Sequence, residues 1–295
     1  MIKYLLLFLL LSITGFSAPA VTLQVLGSGG PEMGDGRASS AYLVRIDGKS
    51  RILVDFGGGA SLRFEEAGAK VEDLDVILLT HLHIDHTAGL PALMKAAFFT
   101  PRSRDLPLFG PEGNRVMPDT VTFIKRVFAD NSGAWQYMGD YLDGRASFQL
   151  QARNITASKL PHTIYRSRNV TVQAVTVHHG PIPAVAYRVN VGHRSITFSG
   201  DMNGDYHTLE KLAKDTDILV AHNAVPKGAK GVAAQLHMTP ETIGRIAQRA
   251  HAGKLVLSHR MRRTLGREKE SKREIRKSYK GPIRFANDKS QYRIK

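Results

Sequence analysis

Three histidines and one aspartate fall within six residues of Thr80-His81-Leu82-His83-Ile84-Asp85-His86-Thr87-Ala88-Gly89. Imidazole and carboxylate are the ligands that zinc and similar divalent ions take in the absence of thiolates. The chain has no cysteine, which excludes disulfide scaffolds, thiol nucleophiles and Cys-ligated zinc together. A lone histidine at a strand end is commonly structural. Four such side chains at x, x+2, x+4 and x+5 directly follow the apolar run 74–79, which reads as a fully buried strand. They therefore converge where the chain leaves a sheet edge, and metal binding is the chemistry they suit.

The elements that must position this cluster follow from the apolar pattern. With 42% hydrophobic and 23% charged residues, the 295-residue chain can bury a sizeable core and should fold as one domain plus extensions. Segments 21–26, 40–46 and 51–54 read as an opening strand meander, 62–69 and 88–99 as helices on either side of the strand 74–79. The stretch 101–159 mixes Pro, Gly and helical pieces such as 120–128, and its order stays open. Strands resume at 170–177, 184–191, 195–198, 218–221 and 255–257. Between the last two, 240–250 is an amphipathic helix with Ile243, Ile246, Ala247 and Ala250 at helical spacing. Strand clusters at both ends, around helices, imply a layered α/β sandwich.

The termini carry their own signals. Lys3, an apolar run over 4–11 and the small residues Ala18 and Ala20 read as a secretory signal over 1–20 cleaved after Ala20, the run being short for a membrane span. The expected location is periplasmic or secreted, with no transmembrane span in the mature chain. Net charge is +15, and 260–295 holds 14 Lys or Arg against 4 Asp or Glu, a net of +10. Residues 266–295 therefore read as a basic C-terminal extension, with a helix over 267–279 that pairs Glu268 with Lys272 and is too polar to build much core. Such a segment suits contact with polyanions, or is simply a solvated surface.

At the ligand cluster the sequence resembles the metallo-β-lactamase superfamily, whose HxHxDH signature His81, His83, Asp85 and His86 match residue for residue. The resemblance implies a four-layer αββα sandwich over 21–265. It likens Leu53-Val54-Asp55-Phe56-Gly57 to the family's strand and glycine turn, where the aspartate supports the metal loop. It likens Val177-His178-His179-Gly180 to the third ligand motif, with His179 before the glycine and the adjacent His178 as the alternative. Phe198-Ser199-Gly200-Asp201 is similar to the strand-end motif whose aspartate bridges two metals, and Leu257-Ser258-His259 to the last ligand histidine. The implied sets are His81, His83 and His179 for one ion and Asp85, His86 and His259 for the other, sharing Asp201. Two divalent metal ions are implied, with zinc the expected element.

The branch narrows the function. The opening Leu26-Gly27-Ser28-Gly29-Gly30-Pro31 and Arg37-Ala38-Ser39-Ser40 resemble the ribonuclease Z and aryl-sulfatase side of the superfamily. Ala234-Gln235-Leu236-His237-Met238-Thr239 is similar to the ribonuclease Z region whose histidine stabilises the scissile phosphate or leaving group, and Thr239 with Pro240 also suits a helix start. Ribonuclease Z carries a long tRNA-grasping arm between the ligand histidine and the bridging aspartate, whereas 21 residues separate His179 from Asp201 here. The expectation is an exported dinuclear metal-dependent hydrolase that cleaves small or exposed phosphodiester or sulfate esters with a metal-bridging hydroxide, Asp85 orienting the hydroxide and His237 acting at the leaving group. The alternatives are a lactone hydrolase of the same fold, or an anion- or nucleic-acid-binding protein that uses the basic tail around a structural metal. His222 follows an apolar run and reads as a partner of the metal ligands or a substrate contact. His162, His193, His207 and His251 read as surface residues, and Trp135, Tyr137 and Tyr141 as packing.

Overall fold

The computed structural model describes residues 18–294. The expected export signal, 1–20, falls almost wholly outside them. Two seven-stranded sheets face each other. Edge to edge, the first runs β14 (Gln291–Ile294), β1 (Val21–Gly27), β2 (Ala41–Ile46), β3 (Lys49–Phe56), β4 (Val76–Leu78), β5 (Leu106–Pro111) and β6 (Leu150–Ile155). The second runs β13 (Ile283–Phe285), β12 (Leu255–Ser258), β11 (Ile218–His222), β10 (Arg194–Phe198), β9 (Ile182–Val191), β8 (Val170–His179) and β7 (His162–Arg166).

Alternation along these strands sorts side chains onto two faces, and three buried clusters result. Val25, Tyr42, Val54 and Leu78 of the first sheet meet Val172, Tyr187, Phe198 and Val220 of the second to fill the space between them. On the outer face of the first sheet, α1 (Ala60–Glu66), α3 (Leu90–Ala97) and α4 (Thr120–Phe128) cover Leu53, Ile77 and Leu108. The outer face of the second receives α6 (Leu209–Leu212), α8 (Pro240–Arg249) and α9 (Glu268–Arg276) over Leu219, Leu255 and Leu257. The short helices α2 (Ile84–Thr87), α5 (Asp140–Asp143) and α7 (Gly231–Leu236) lie in connections. This is the four-layer αββα sandwich. In the stretch left unordered from sequence, β5 and β6 extend the first sheet in parallel, with α4 between them capped by Asp119, whose carboxylate accepts the Thr122 N–H at 2.9 Å.

Strand direction places the site. β3 to β6 run parallel to one another, as do β10 to β13, so their carboxyl ends share one edge in each sheet. Side chains far apart in sequence but just beyond those ends are brought together, the usual place for a site in such sheets.

The expected basic extension needs correction. Residues 266–294 are not an appendage: β13 joins β12, β14 joins β1, and α9 packs on α8. Ile275 is fully buried, and Tyr279 and Ile283 nearly so, with the Tyr279 hydroxyl donating to Ala252 O at 2.8 Å. A few well-spaced apolar groups thus outweigh the polar average, each worth roughly 1.5–3 kcal/mol when buried. Part of the segment's charge is paired, at the surface, with carboxylates of this segment and of the rest of the fold. Glu268 meets Arg260 rather than Lys272, Glu274 is ringed by Lys277, Lys227 and Arg273, and Lys289 meets Glu66. Among the described residues no helix is long and apolar enough to cross a membrane.

Candidate metal centre

The cluster is built outward from Asp55 at the end of β3. Asp55 is fully buried with φ +55°, a left-handed backbone that aims its carboxylate along the sheet edge. It accepts the Thr80 N–H at 2.7 Å and the Thr80 hydroxyl at 2.8 Å, which fixes the turn leaving β4. His86, on α2, donates its Nδ1–H to Asp55 Oδ2 at 2.8 Å, so its Nε2 is left bare, buried and without a hydrogen-bond partner. Gly57 lets this happen: a Cβ there would stand 2.1 Å from the Asp85 carbonyl oxygen, so no other residue allows α2 to start against the end of β3. His179 ends β8 and donates Nδ1–H to Leu236 O at 2.9 Å, again turning Nε2 inward. Gly30 touches the His259 ring in the same way, its hypothetical Cβ lying 2.6 Å from Cε1.

The inward atoms form two sets. His81 Nε2 lies 3.0 Å from His83 Nδ1, which lies 3.4 Å from His179 Nε2. His81 Nδ1–H is committed to Thr80 Oγ1 at 3.1 Å, so His81 Nε2, like His179 Nε2, turns a bare lone pair toward His83 Nδ1. Nitrogens bound at zinc's usual distance in a tetrahedron stand roughly 3.3 Å apart, close to these separations. In the second set, Asp85 Oδ2 lies 3.5 Å from His86 Nε2 and 3.4 Å from His259 Nε2. Asp201 Oδ2 reaches both, at 3.8 Å from His81 and His179, 3.7 Å from His86 and 3.0 Å from His259. The seven residues expected from sequence therefore meet at one place, and they fit divalent cations in donor type and spacing. Zinc, manganese and iron all accept such nitrogen and oxygen donors.

Electrostatics agree. Burial pushes His81, His83 and His179 below the usual histidine range, so they present neutral ligands. Burial also works against a charge on His86, but Asp55, Asp85 and Asp201 outweigh it and raise its affinity for a proton. His259 is raised likewise, burial being overcome first by Asp201. Asp201 is held well below the carboxylate range, with His259 and His237 overriding its burial. The second set thus demands positive charge, which a divalent ion supplies.

The sequence left His178 or His179 open, and the structure resolves it. His178 turns away, its Nδ1 accepting from Asn203 Nδ2 at 2.7 Å while its ring packs on Tyr206 at 4.9 Å. His237 does reach the centre, with Nδ1 buried, unpaired and 3.8 Å from Asp201 Oδ1. Burial lowers its pKa to about 3, with Arg263 adding to the effect. His222 is drawn in more closely than the sequence required: its Nδ1 is 2.7 Å from Asp201 Oδ1, and its ligand atoms fall within 4.8 Å of those of His86, Asp201 and His259. Tyr42, which no sequence signal singled out, touches His222 Nε2 at 3.0 Å. His162, His193, His207 and His251 lie outside both sets. Tyr141 packs on Phe148 at 4.8 Å, as expected, while Trp135 and Tyr137 are exposed.

Two facing mixed sheets between helix layers, with a histidine and aspartate cluster at their shared edge, define a metal-dependent hydrolase of the αββα class. The chain belongs to the metallo-β-lactamase superfamily, whose family model matches residues 34–224, and to its ribonuclease Z-like branch. It is 31% identical over 250 residues to the ribonuclease Z of Mycobacterium sp. (strain KMS), covering 81% of this chain and 84% of that one. Among solved structures, the metallo-β-lactamase fold protein YhfI from Bacillus subtilis superposes with TM-score 0.73 at 20% identity, over 94% of this chain and 100% of that one. Human tRNase Z, short form, follows at TM-score 0.68 and 19% identity, over 92% and 98%.

Proposed function

We propose that this chain is an exported phosphodiester hydrolase that holds two divalent ions and acts on small or exposed diesters. The observation that carries the reading is Asp201 Oδ2, one oxygen placed within 3.0–3.8 Å of imidazole nitrogens from both ligand sets. When bound, a pair of such ions supplies hydroxide at neutral pH and neutralises the charge on the ester oxygens.

The protein's own groups do the rest. Asp85 is the more exposed of the two inner carboxylates, at 6%, and is the one that orients the attacking water and accepts its proton. His237, buried with Nδ1 3.8 Å from Asp201 Oδ1, offers a ring N–H to the departing oxygen. Thr239 and Pro240 start α8 directly after it, which fixes its backbone. Favouring small or exposed substrates, β8 leads through β9 and β10 straight to Asp201, with no further element between the ligands. Favouring export, β1 starts at Val21, so cleavage after Ala20 leaves the first strand whole.

The test is metal analysis of purified mature protein, with the same sample assayed on a bis-aryl phosphate, a cyclic nucleotide, an aryl sulfate, a lactone and a β-lactam. Two ions per chain with preference for a phosphodiester support the reading. Preference for the aryl sulfate or the lactone would replace it with that ester class.

A further inference from the structure

We infer that Tyr42 and His222 form a buried positioning chain that orients Asp201 and, by engaging both His222 nitrogens, keeps this imidazole off the metal ions. The inference rests on the two-ion reading above. Proximity alone makes His222 look like a fourth ligand beside His86, Asp201 and His259. Hydrogen-bond chemistry assigns it otherwise. A carboxylate oxygen only accepts, so the 2.7 Å contact with Asp201 Oδ1 is a bond donated by His222 Nδ1–H.

That leaves Nε2 as a bare acceptor in a ring that is 2% exposed, and the group facing it is the Tyr42 hydroxyl at 3.0 Å. Tyr42 is itself 1% exposed, and burial raises its pKa, so the phenol keeps the proton it donates. The His222 backbone N–H is also tied, to Ser199 Oγ at 3.2 Å. Both ring nitrogens and the backbone N–H of His222 are thus committed, and rotating the ring to offer a nitrogen to a cation would orphan a buried phenol and a buried carboxylate oxygen together.

The consequence falls on Asp201. The terminal torsion of an aspartate is broad, so its two oxygens are not distinguished by rotamer preference. With Oδ1 held by His222, Oδ2 is the oxygen that faces His81, His86, His179 and His259. Tyr42 and His222 touch neither the substrate nor the ions, and act through Asp201.

The test begins with ring-nitrogen NMR on the metal-free protein, where His222 is expected to show a protonated Nδ1 and an acceptor-type Nε2. The reverse tautomer overturns the inference. Zinc affinity is then measured by chelator competition for wild type, Tyr42→Phe, His222→Asn and His222→Ala, with circular dichroism confirming the fold. Loss of outer partners of this kind typically costs about 10–100-fold in metal affinity. His222→Ala should show this loss and a lower kcat at unchanged KM. Tyr42→Phe, and His222→Asn with its surviving donor to Asp201, should fall between. The visible spectrum of the cobalt-loaded protein separates positioning from ligation, since His222→Ala should keep the wild-type number of imidazole ligands. Wild-type affinity in His222→Ala, or loss of one imidazole from the cobalt spectrum, overturns the inference. Wild type binding a single ion instead overturns the two-ion reading, while the variants still report whether His222 acts on the ion that remains.

Discussion

Replacing Asp55 by Asn keeps the side-chain shape and removes one charge, at a residue that the arrangement keeps out of both ligand sets. The amide oxygen can still accept the Thr80 N–H, now at 2.7 Å. The amide nitrogen, however, takes the place of the oxygen that receives the His86 Nδ1–H at 2.8 Å, and donor would face donor. His86 escapes by moving its proton to Nε2, the nitrogen that faces the second set. That set would then lose an imidazole lone pair, and loss of an outer partner predicts a fall of about 10–100-fold in metal affinity, or roughly 1.4–2.8 kcal/mol. The first set should be affected less, since Thr80 can still hold His81 Nδ1–H at 3.1 Å. Zinc titration against a chromophoric chelator should show one binding step weakened and the other little changed. A charge-assisted buried bond is also worth about 1.5–3 kcal/mol to folding, so the metal-free variant should melt on the order of 3–12 °C lower. Unchanged affinity in both steps would refute the claim that Asp55 sets the His86 tautomer.

Other outcomes follow from single contacts. Gly57→Ala places a Cβ at 2.1 Å from the Asp85 carbonyl oxygen, where ordinary contact begins at 3.4 Å, so α2 must retreat by about 1 Å. Turnover should drop about 10²-fold with the protein still folded, and wild-type kcat would show that the loop has slack. His237→Ala should leave metal content unchanged and lower kcat about 10²–10⁴-fold, with a smaller loss on substrates with a good leaving group such as nitrophenolate. An equal loss on good and poor leaving groups would remove His237 from that role. Glu274 is held down to about 2 from its ordinary 4.5, chiefly by its bond to Lys277, against its burial and with help from Lys227 and Arg273. A depressed folded pKa contributes stability that is full above pH 4.5 and lost as pH falls toward 2. The melting difference between wild type and Glu274→Gln should therefore shrink over that window, and a constant difference would contradict the pairing.

The clustered ligands His81 to His86 were legible because they fall on one turn beyond one buried strand, so the spacing itself carries the geometry. His179 ends β8 while Asp201 and His259 follow β10 and β12, and only the resemblance joined them; β8 runs the same way as β10, both being antiparallel to β9, and β10 the same way as β12, which is the physical reason they meet at one edge. The contact between Tyr42 and His222 spans 180 residues and leaves no local pattern, which is why Tyr42 was not found. The C-terminal segment misled for a related reason. Its charge is visible in any window, whereas the pairing of β14 with β1 and the burial of Ile275 depend on partners far back in the chain.

Asp201 is the carboxylate that the two proposed ions share, and an anomalous-difference map from zinc-loaded crystals tests that most directly. Two peaks roughly 3.5–4 Å apart, one among His81, His83 and His179 and the other among Asp85, His86 and His259, with Asp201 Oδ2 between them, are the predicted result. One peak at full zinc loading, or Asp201 turned away from both, would contradict it.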